Sequence, residues 1–282
     1  MSQRHAAPAA GAGGDLRNLV TRTAAAALLA PLTVATAYAG SWLWIALVTV
    51  AAIGLYIEWL GIVGSAGGMR GTAAGVAALV LAGVGLVLGL YGPVLFVLLL
   101  GIAGAAMFAP QRRGWSAAGF AYAAAAQLAA ALVRADARMG FVALIFILLI
   151  VWVTDIGGYF AGRGLGGPKL WPRVSPNKTW AGAVGGFLGS LIVAGGFVVL
   201  GFGRILPLLA LAGGLSVVGQ FGDLFESAVK RRFGVKDSGH AIPGHGGLMD
   251  RLDSLVAALV LAAIFGALRY GMDGVGRGLM VW

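Results

Sequence analysis

The chain has 282 residues, of which 60% are hydrophobic and only 11% charged, with 20 Lys and Arg against 10 Asp and Glu for a net charge of +10. A mean hydropathy of +0.92 lies far outside the range of water-soluble domains. With no cysteine there is neither a disulfide framework nor a thiolate metal site, and the lack of period-two alternation argues against a β-barrel.

The sequence therefore predicts an all-α, polytopic membrane protein. Residues 1–21, which include Ala9-Ala10-Gly11-Ala12-Gly13-Gly14, read as a disordered cytoplasmic leader. About nine apolar runs then approach the ~20 residues needed to cross a hydrocarbon core, at 22–39, 41–60, 72–90, 92–109, 115–133, 140–161, 181–201, 204–222 and 253–270. The first ends in Ala37-Tyr38-Ala39-Gly40, which imitates a signal-peptidase site; cleavage there would leave the later topology unchanged. The runs divide into an N-terminal group, 22–139, and a C-terminal region, 140–282, with polar loops at about 162–180 and 223–252.

Threading these runs from a cytoplasmic N-terminus leaves only Arg134, Arg138, Arg204, Arg269 and Arg277 on the far side, against fifteen Lys and Arg on the near side. Cytoplasmic loops carry the basic excess, so the split supports that orientation. The positive charge is then a membrane face suited to anionic headgroups and solutes, and no nucleic-acid partner is expected. The same threading puts Glu58, Asp155, Asp223 and Glu226 near the cytoplasmic ends of their helices, and Asp250 and Asp253 at the start of the last run. Acids at the edge of a span are costly, so six on one face read as a site, although Glu58 also reads as a lone acid near the interface.

Two segments carry the remaining polar residues, 154–182 and 219–254. Asp223, Glu226, Ser227 and Lys230 follow i, i+3, i+4, i+7 spacing, one stripe of a helix, and Asp250, Asp253 and Ser254 repeat the pattern. Two acidic stripes on adjacent helices suit a hard divalent cation, with lysine and arginine alongside for phosphates. Between them, Pro243 and its neighbouring glycines form a tight turn, where His245 serves either to hold the loop or to move a proton. Gly162-x-Gly164-x-x-Gly167 matches a dinucleotide fingerprint by letter only, because it follows a membrane run and leads into Pro168-Lys169. The pairs Gly182/Gly186 and Gly185/Gly189 read as sites of close helix packing.

The string Ser227-x-x-Lys230-Arg231-x-x-x-x-Lys236-Asp237-x-Gly239-x-x-Ile242-Pro243-Gly244-His245-Gly246-Gly247-x-x-Asp250-Arg251-x-Asp253 resembles the signature of the phosphatidate cytidylyltransferase family. Ser175-Pro176-Asn177-Lys178-Thr179 is similar to that family's Ser-Pro-Lys-Lys-Thr element, with Asn177 in place of the first lysine. The resemblance is specific over about 152–254 and is one of hydropathy alone before that. It implies transfer of CMP from CTP to phosphatidic acid, giving CDP-diacylglycerol and pyrophosphate. It further implies a Mg²⁺-dependent, homodimeric enzyme of the bacterial inner membrane, facing the cytoplasm and in contact with membrane lipids, with a second, monovalent cation such as K⁺.

On this resemblance Asp223 and Asp250 are the metal ligands. Lys178, Lys230, Arg231 and Arg251 are phosphate contacts; Asp237 and His245 complete the catalytic set. Ser175, Thr179 and Lys236 join the substrate-binding residues, with Asp155, Glu226, Ser227 and Asp253 in support. Other readings are a different CTP-dependent lipid enzyme such as a polyprenol kinase, or an anion transporter. A CDP-alcohol phosphotransferase is disfavoured because Asp273-Gly274 continues as Val275-Gly276.

Overall fold

A computed structural model describes residues 30–65, 68–239 and 246–282. The leader, residues 22–29 of the first apolar run and His245 lie outside the described residues. Helix α1 covers residues 30–39. It is followed by α2 (Ser41–Val63), α3 (Gly68–Val87), α4 (Tyr91–Phe108), α5 (Arg113–Ala135) and α6 (Gly140–Leu165). Strands β1 (Lys169–Trp171) and β2 (Ser175–Thr179) come next, then α7 (Trp180–Val199), α8 (Ile205–Arg232), α9 (Met249–Tyr270), a 3₁₀ turn and α10 (Val275–Met280). Among the described residues, the eight helices α2 to α9 are long and apolar enough to cross a membrane.

Three boundaries differ from the sequence reading, all for one reason. Helix α6 runs on to Leu165, α8 continues to Arg232, and α9 starts at Met249, whereas the apolar runs stop or start at 161, 222 and 253. Apolarity gives out where charged side chains gather, but backbone hydrogen bonding does not. The polar residues therefore ride on the ends of rigid helices, and the connection between α8 and α9 shrinks to 233–248. The loop after α6 also contains a short antiparallel hairpin, β1 with β2, that the all-helical expectation did not include. Gly166 and Gly167, at φ of 64° and 94°, turn the chain out of α6 into β1 through conformations that side chains disfavour.

Two apolar clusters meet inside the bundle. One gathers Phe146, Ile147, Leu208, Leu215 and Ala262 from α6, α8 and α9. The other gathers Tyr56, Trp59, Leu79 and Phe120 from α2, α3 and α5. Helix α9 packs against both α5 and α8, so the halves share a core. Glycines let α7 close on α6: a Cβ on Gly182 would stand 2.8 Å from the Gly158 carbonyl oxygen, and one on Gly186 2.5 Å from that of Thr154.

The turn between α5 and α6 is pinned by Asp136, which is 1% exposed. Its carboxylate accepts from the Arg138 and Met139 amides and from both N and Nε of Arg277. Burial opposes ionisation there, yet these donors prevail and hold the carboxyl below its usual range.

Candidate active site

The other end of α6, a helix of 26 residues and thus about 39 Å long, opens into a polar cleft of about 920 Å³. The charged and polar part of its wall comes chiefly from four elements. Helix α6 contributes Asp155 and Arg163, β2 contributes Asn177, Lys178 and Thr179, α8 contributes Asp223, and α9 contributes Asp250, Arg251 and Asp253. The β-hairpin is what brings Lys178 over the cleft, where its Nζ lies 2.5 Å from Asp223 Oδ2. Thr179, at the end of β2, caps α7 by accepting from the Gly182 amide at 3.1 Å. Ser227 Oγ is 3.5 Å from Asp223 Oδ1.

Helices α8 and α9 approach closely enough to align their acids. A Cβ on Gly222 would meet the Asp253 carbonyl oxygen at 2.7 Å. Asp155, Asp223 and Asp253 stand within electrostatic reach of one another and of Lys178. Over the whole wall four carboxylates, Asp155, Asp223, Asp250 and Asp253, face three cations, Arg163, Lys178 and Arg251, and that small excess of negative charge suits a cation. Among the described residues no group of three or more Asp, Glu and His side chains forms a metal cage. Magnesium held by one or two carboxylates, with the remaining positions left to water and substrate phosphates, is compatible with that geometry.

Asp250 lines the cleft and is held from behind. Its Oδ1 lies 2.6 Å from Lys230 Nζ, and its Oδ2 accepts from the Ser238 and Gly247 amides, each at 3.1 Å. Lys230 also pairs with Glu226 Oε2 at 2.7 Å. Glu226 and Lys230 are both buried and lie behind Asp250, outside the cleft wall. The helical stripe of α8 is therefore divided, with Asp223 facing the cleft while Glu226 and Lys230 brace its back.

The other anticipated residues are more scattered. Arg231 is exposed and donates to the Val235 carbonyl at 3.1 Å; Lys236 and Asp237 are exposed on the α8–α9 connection. Ser175 is half-buried at the start of β2, and none of these four lines the cleft. Arg163, which donates to Tyr159 Oη at 3.0 Å, is a cleft cation that the sequence reading did not single out. Its place in a glycine-rich run was the available signal.

Glu58 is the second omission from the chosen site residues. It belongs to α2, is only 8% exposed, and contacts the α8–α9 connection. Its position near a helix end hinted at a role; its partner was invisible.

Beside the cleft lies an apolar groove of about 400 Å³, lined by Trp171, Trp180, Val184, Phe187 and Phe221 among others. Leu170, Ala183 and Gln220 line both cavities, so the two adjoin.

The sequence profile of the cytidylyltransferase family matches residues 20–268. The chain belongs to the cytidylyltransferase family. Among its relatives, the phosphatidate cytidylyltransferase of Brucella suis biovar 1 (strain 1330) is 53% identical over 161 residues, covering 55% of this chain and 58% of that protein. The phosphatidate cytidylyltransferase of Staphylococcus haemolyticus is 50% identical over 125 residues, covering 43% of this chain and 47% of that protein. The matches thus span about half the length of these curated relatives. Family membership agrees with the resemblance carried by the 227–253 string.

Proposed function

We propose that this chain is a phosphatidate cytidylyltransferase of the bacterial inner membrane, with its polar cleft facing the cytoplasm. The observation that carries the reading is the placing of an acid-and-lysine cleft directly beside an apolar groove, with three lining residues in common. Such a junction suits one water-soluble anion and one lipid whose phosphate reaches the cleft while its chains stay apolar. The names of the Brucella and Staphylococcus relatives point the same way.

In this reaction a phosphate oxygen of phosphatidic acid attacks the α-phosphorus of CTP, a new P–O–P bond forms, and pyrophosphate leaves with the electrons of the broken bond. The nucleophile is already ionised near neutral pH, so a general base contributes little. Charge is the obstacle, because two anions meet and a third departs. Lys178, Arg163 and Arg251 are the cations that line the cleft and would meet the phosphates. For Lys178 this means exchanging Asp223 for substrate oxygens. Asp223, together with Asp250, would hold Mg²⁺, with K⁺ as an accompanying ion; Asp155 and Asp253 add to the negative field there. Bound Mg²⁺ supplies charge neutralisation at the phosphates. Lys230 and Glu226 keep Asp250 aimed.

Purified protein in detergent, given CTP and Mg²⁺, should release pyrophosphate only when phosphatidic acid is added, and Asp223→Asn should abolish most of that release while remaining folded. Release of ADP-like products from CTP, namely CDP, with a polyprenol acceptor would identify a kinase instead. Turnover by Asp223→Asn at the wild-type rate would remove the metal assignment.

A further inference from the structure

The recognisable motifs of this chain all lie in its C-terminal half, yet the connection that carries Asp250 is fastened to the N-terminal half. The Glu58 carboxylate on α2 accepts three hydrogen bonds from that connection: Leu248 N at 2.7 Å, Met249 N at 2.8 Å and Ser238 Oγ at 2.9 Å. Leu248 is the N-cap of α9 and makes no side-chain capping bond of its own. A helix start leaves backbone N–H groups open and favours negative charge. Glu58 supplies the missing cap from another helix, about 190 positions earlier in the chain.

A separate observation shows that the connection is shaped around this carboxylate. A Cβ on Gly239 would stand 3.0 Å from Glu58 Oε1, and one on Gly247 2.8 Å from Glu58 Oε2. A side chain on Gly247 would run into the Ser238 hydroxyl and the Glu58 carboxylate that it bonds, and one on Gly239 would crowd Glu58. One turn earlier on α2, Gly54 makes room for Leu248, whose Cδ2 would be 2.7 Å from a Cβ there. The same segment then holds Asp250: Ser238 gives its hydroxyl to Glu58 and its amide to Asp250, and Gly247, adjoining Leu248, gives its amide to Asp250.

We propose that Glu58 is a positioning residue for the cleft: by capping α9 and gripping Ser238 it fixes the Asp250 carboxylate. The idea rests on the function proposed above, since it assigns Asp250 to the working site. Glu58 touches no substrate; it acts through Ser238, Gly247 and the α9 N-terminus.

The test compares wild type with Glu58→Gln and Glu58→Ala by hydrogen exchange and by steady-state kinetics on purified, full-length protein in detergent. Glu58→Ala should speed exchange in a peptide covering 246–250 by at least about tenfold while peptides from α3 and α4 exchange as before. It should lower kcat at saturating CTP and phosphatidic acid by about 10–100-fold, with the phosphatidic acid KM little changed because the groove is untouched. Glu58→Gln keeps one acceptor oxygen and should fall between the two.

General destabilisation would instead raise exchange everywhere and lower the folded fraction rather than kcat per folded molecule, which would overturn the proposal. Unchanged exchange at 246–250 in Glu58→Ala would also overturn it. Faster exchange there with wild-type kcat would show an anchor that positions nothing, again against the proposal. A wild-type protein with no CTP-dependent turnover would sink the function proposed above and this residue's part in it, while the exchange data would still report separately whether the anchor exists.

Discussion

Replacing Lys230 by methionine tests whether it braces the site or touches substrate. Its ammonium lies 2.7 Å from Glu226 Oε2 and 2.6 Å from Asp250 Oδ1. The side chains of Lys230, Glu226 and Asp250 are 10%, 2% and 14% exposed, so little water replaces a lost partner. Glu226 Oε1 lacks a hydrogen-bond partner in the described structure, and Lys230 and Asp250 are the groups its other oxygen meets. Removing one member of a buried ion pair costs about 3–5 kcal/mol, chiefly through the uncompensated charge left behind.

Lys230→Met should therefore unfold at a clearly lower temperature, by more than about 5 °C, when followed by tryptophan fluorescence in detergent. Adding Glu226→Gln removes one of the two carboxylates left without the ammonium and should recover part of that loss. Activity should recover less, because Asp250 still lacks its ammonium partner. Added salt should barely change the stability difference, since a buried pair is weakly screened. A Lys230→Met protein as stable as wild type, or a double variant no better than the single, would refute the bracing role.

Other consequences follow from particular contacts. Asp136→Asn should destabilise the fold at neutral pH by about 1.5–3 kcal/mol, the worth of hydrogen bonds to a charged group. The folded-state pKa of Asp136 is depressed, so its stabilisation is fully present above the unfolded value and lost as pH falls through the folded one. Unfolding curves of wild type and variant should therefore converge in acid, and a gap independent of pH would contradict the assignment. Gly186→Val should push α7 off α6 at the Thr154 carbonyl, costing about 1–3 kcal/mol and lowering activity in protein that still inserts; unchanged melting would count against the close contact. Val184→Trp, which fills the apolar groove, should raise the KM for phosphatidic acid while leaving that for CTP near wild type, and equal effects on both would separate the groove from the lipid.

Much of the site was legible because its residues stand out against an apolar chain. Asp155, Lys178, Asp223, Asp250, Arg251 and Asp253 all reach one cleft, as their clustering at helix ends suggested. What stayed hidden depends on distant backbone geometry. The Lys178–Asp223 contact needs the β-hairpin to fold back over α8, and strands of three and five residues leave no periodic trace. Helical spacing put Asp223, Glu226 and Lys230 on one stripe, but only the position of α9 decides which part of the stripe faces the cleft. Glu58 looked like an isolated acid because its partners, Ser238, Leu248 and Met249, are far away in the chain. Hydropathy likewise cut α8 short at its first carboxylate, although the helix continues to Arg232.

The central claim is that the cleft moves a cytidylyl group onto a lipid phosphate, and radiolabelled CTP tests it most directly. Purified protein incubated with phosphatidic acid, Mg²⁺ and CTP labelled at either the α- or the γ-phosphorus is extracted into organic solvent. Label from the α position should enter the lipid phase and label from the γ position should stay in the aqueous phase as pyrophosphate. Label entering lipid from the γ position, or from neither, would contradict the account.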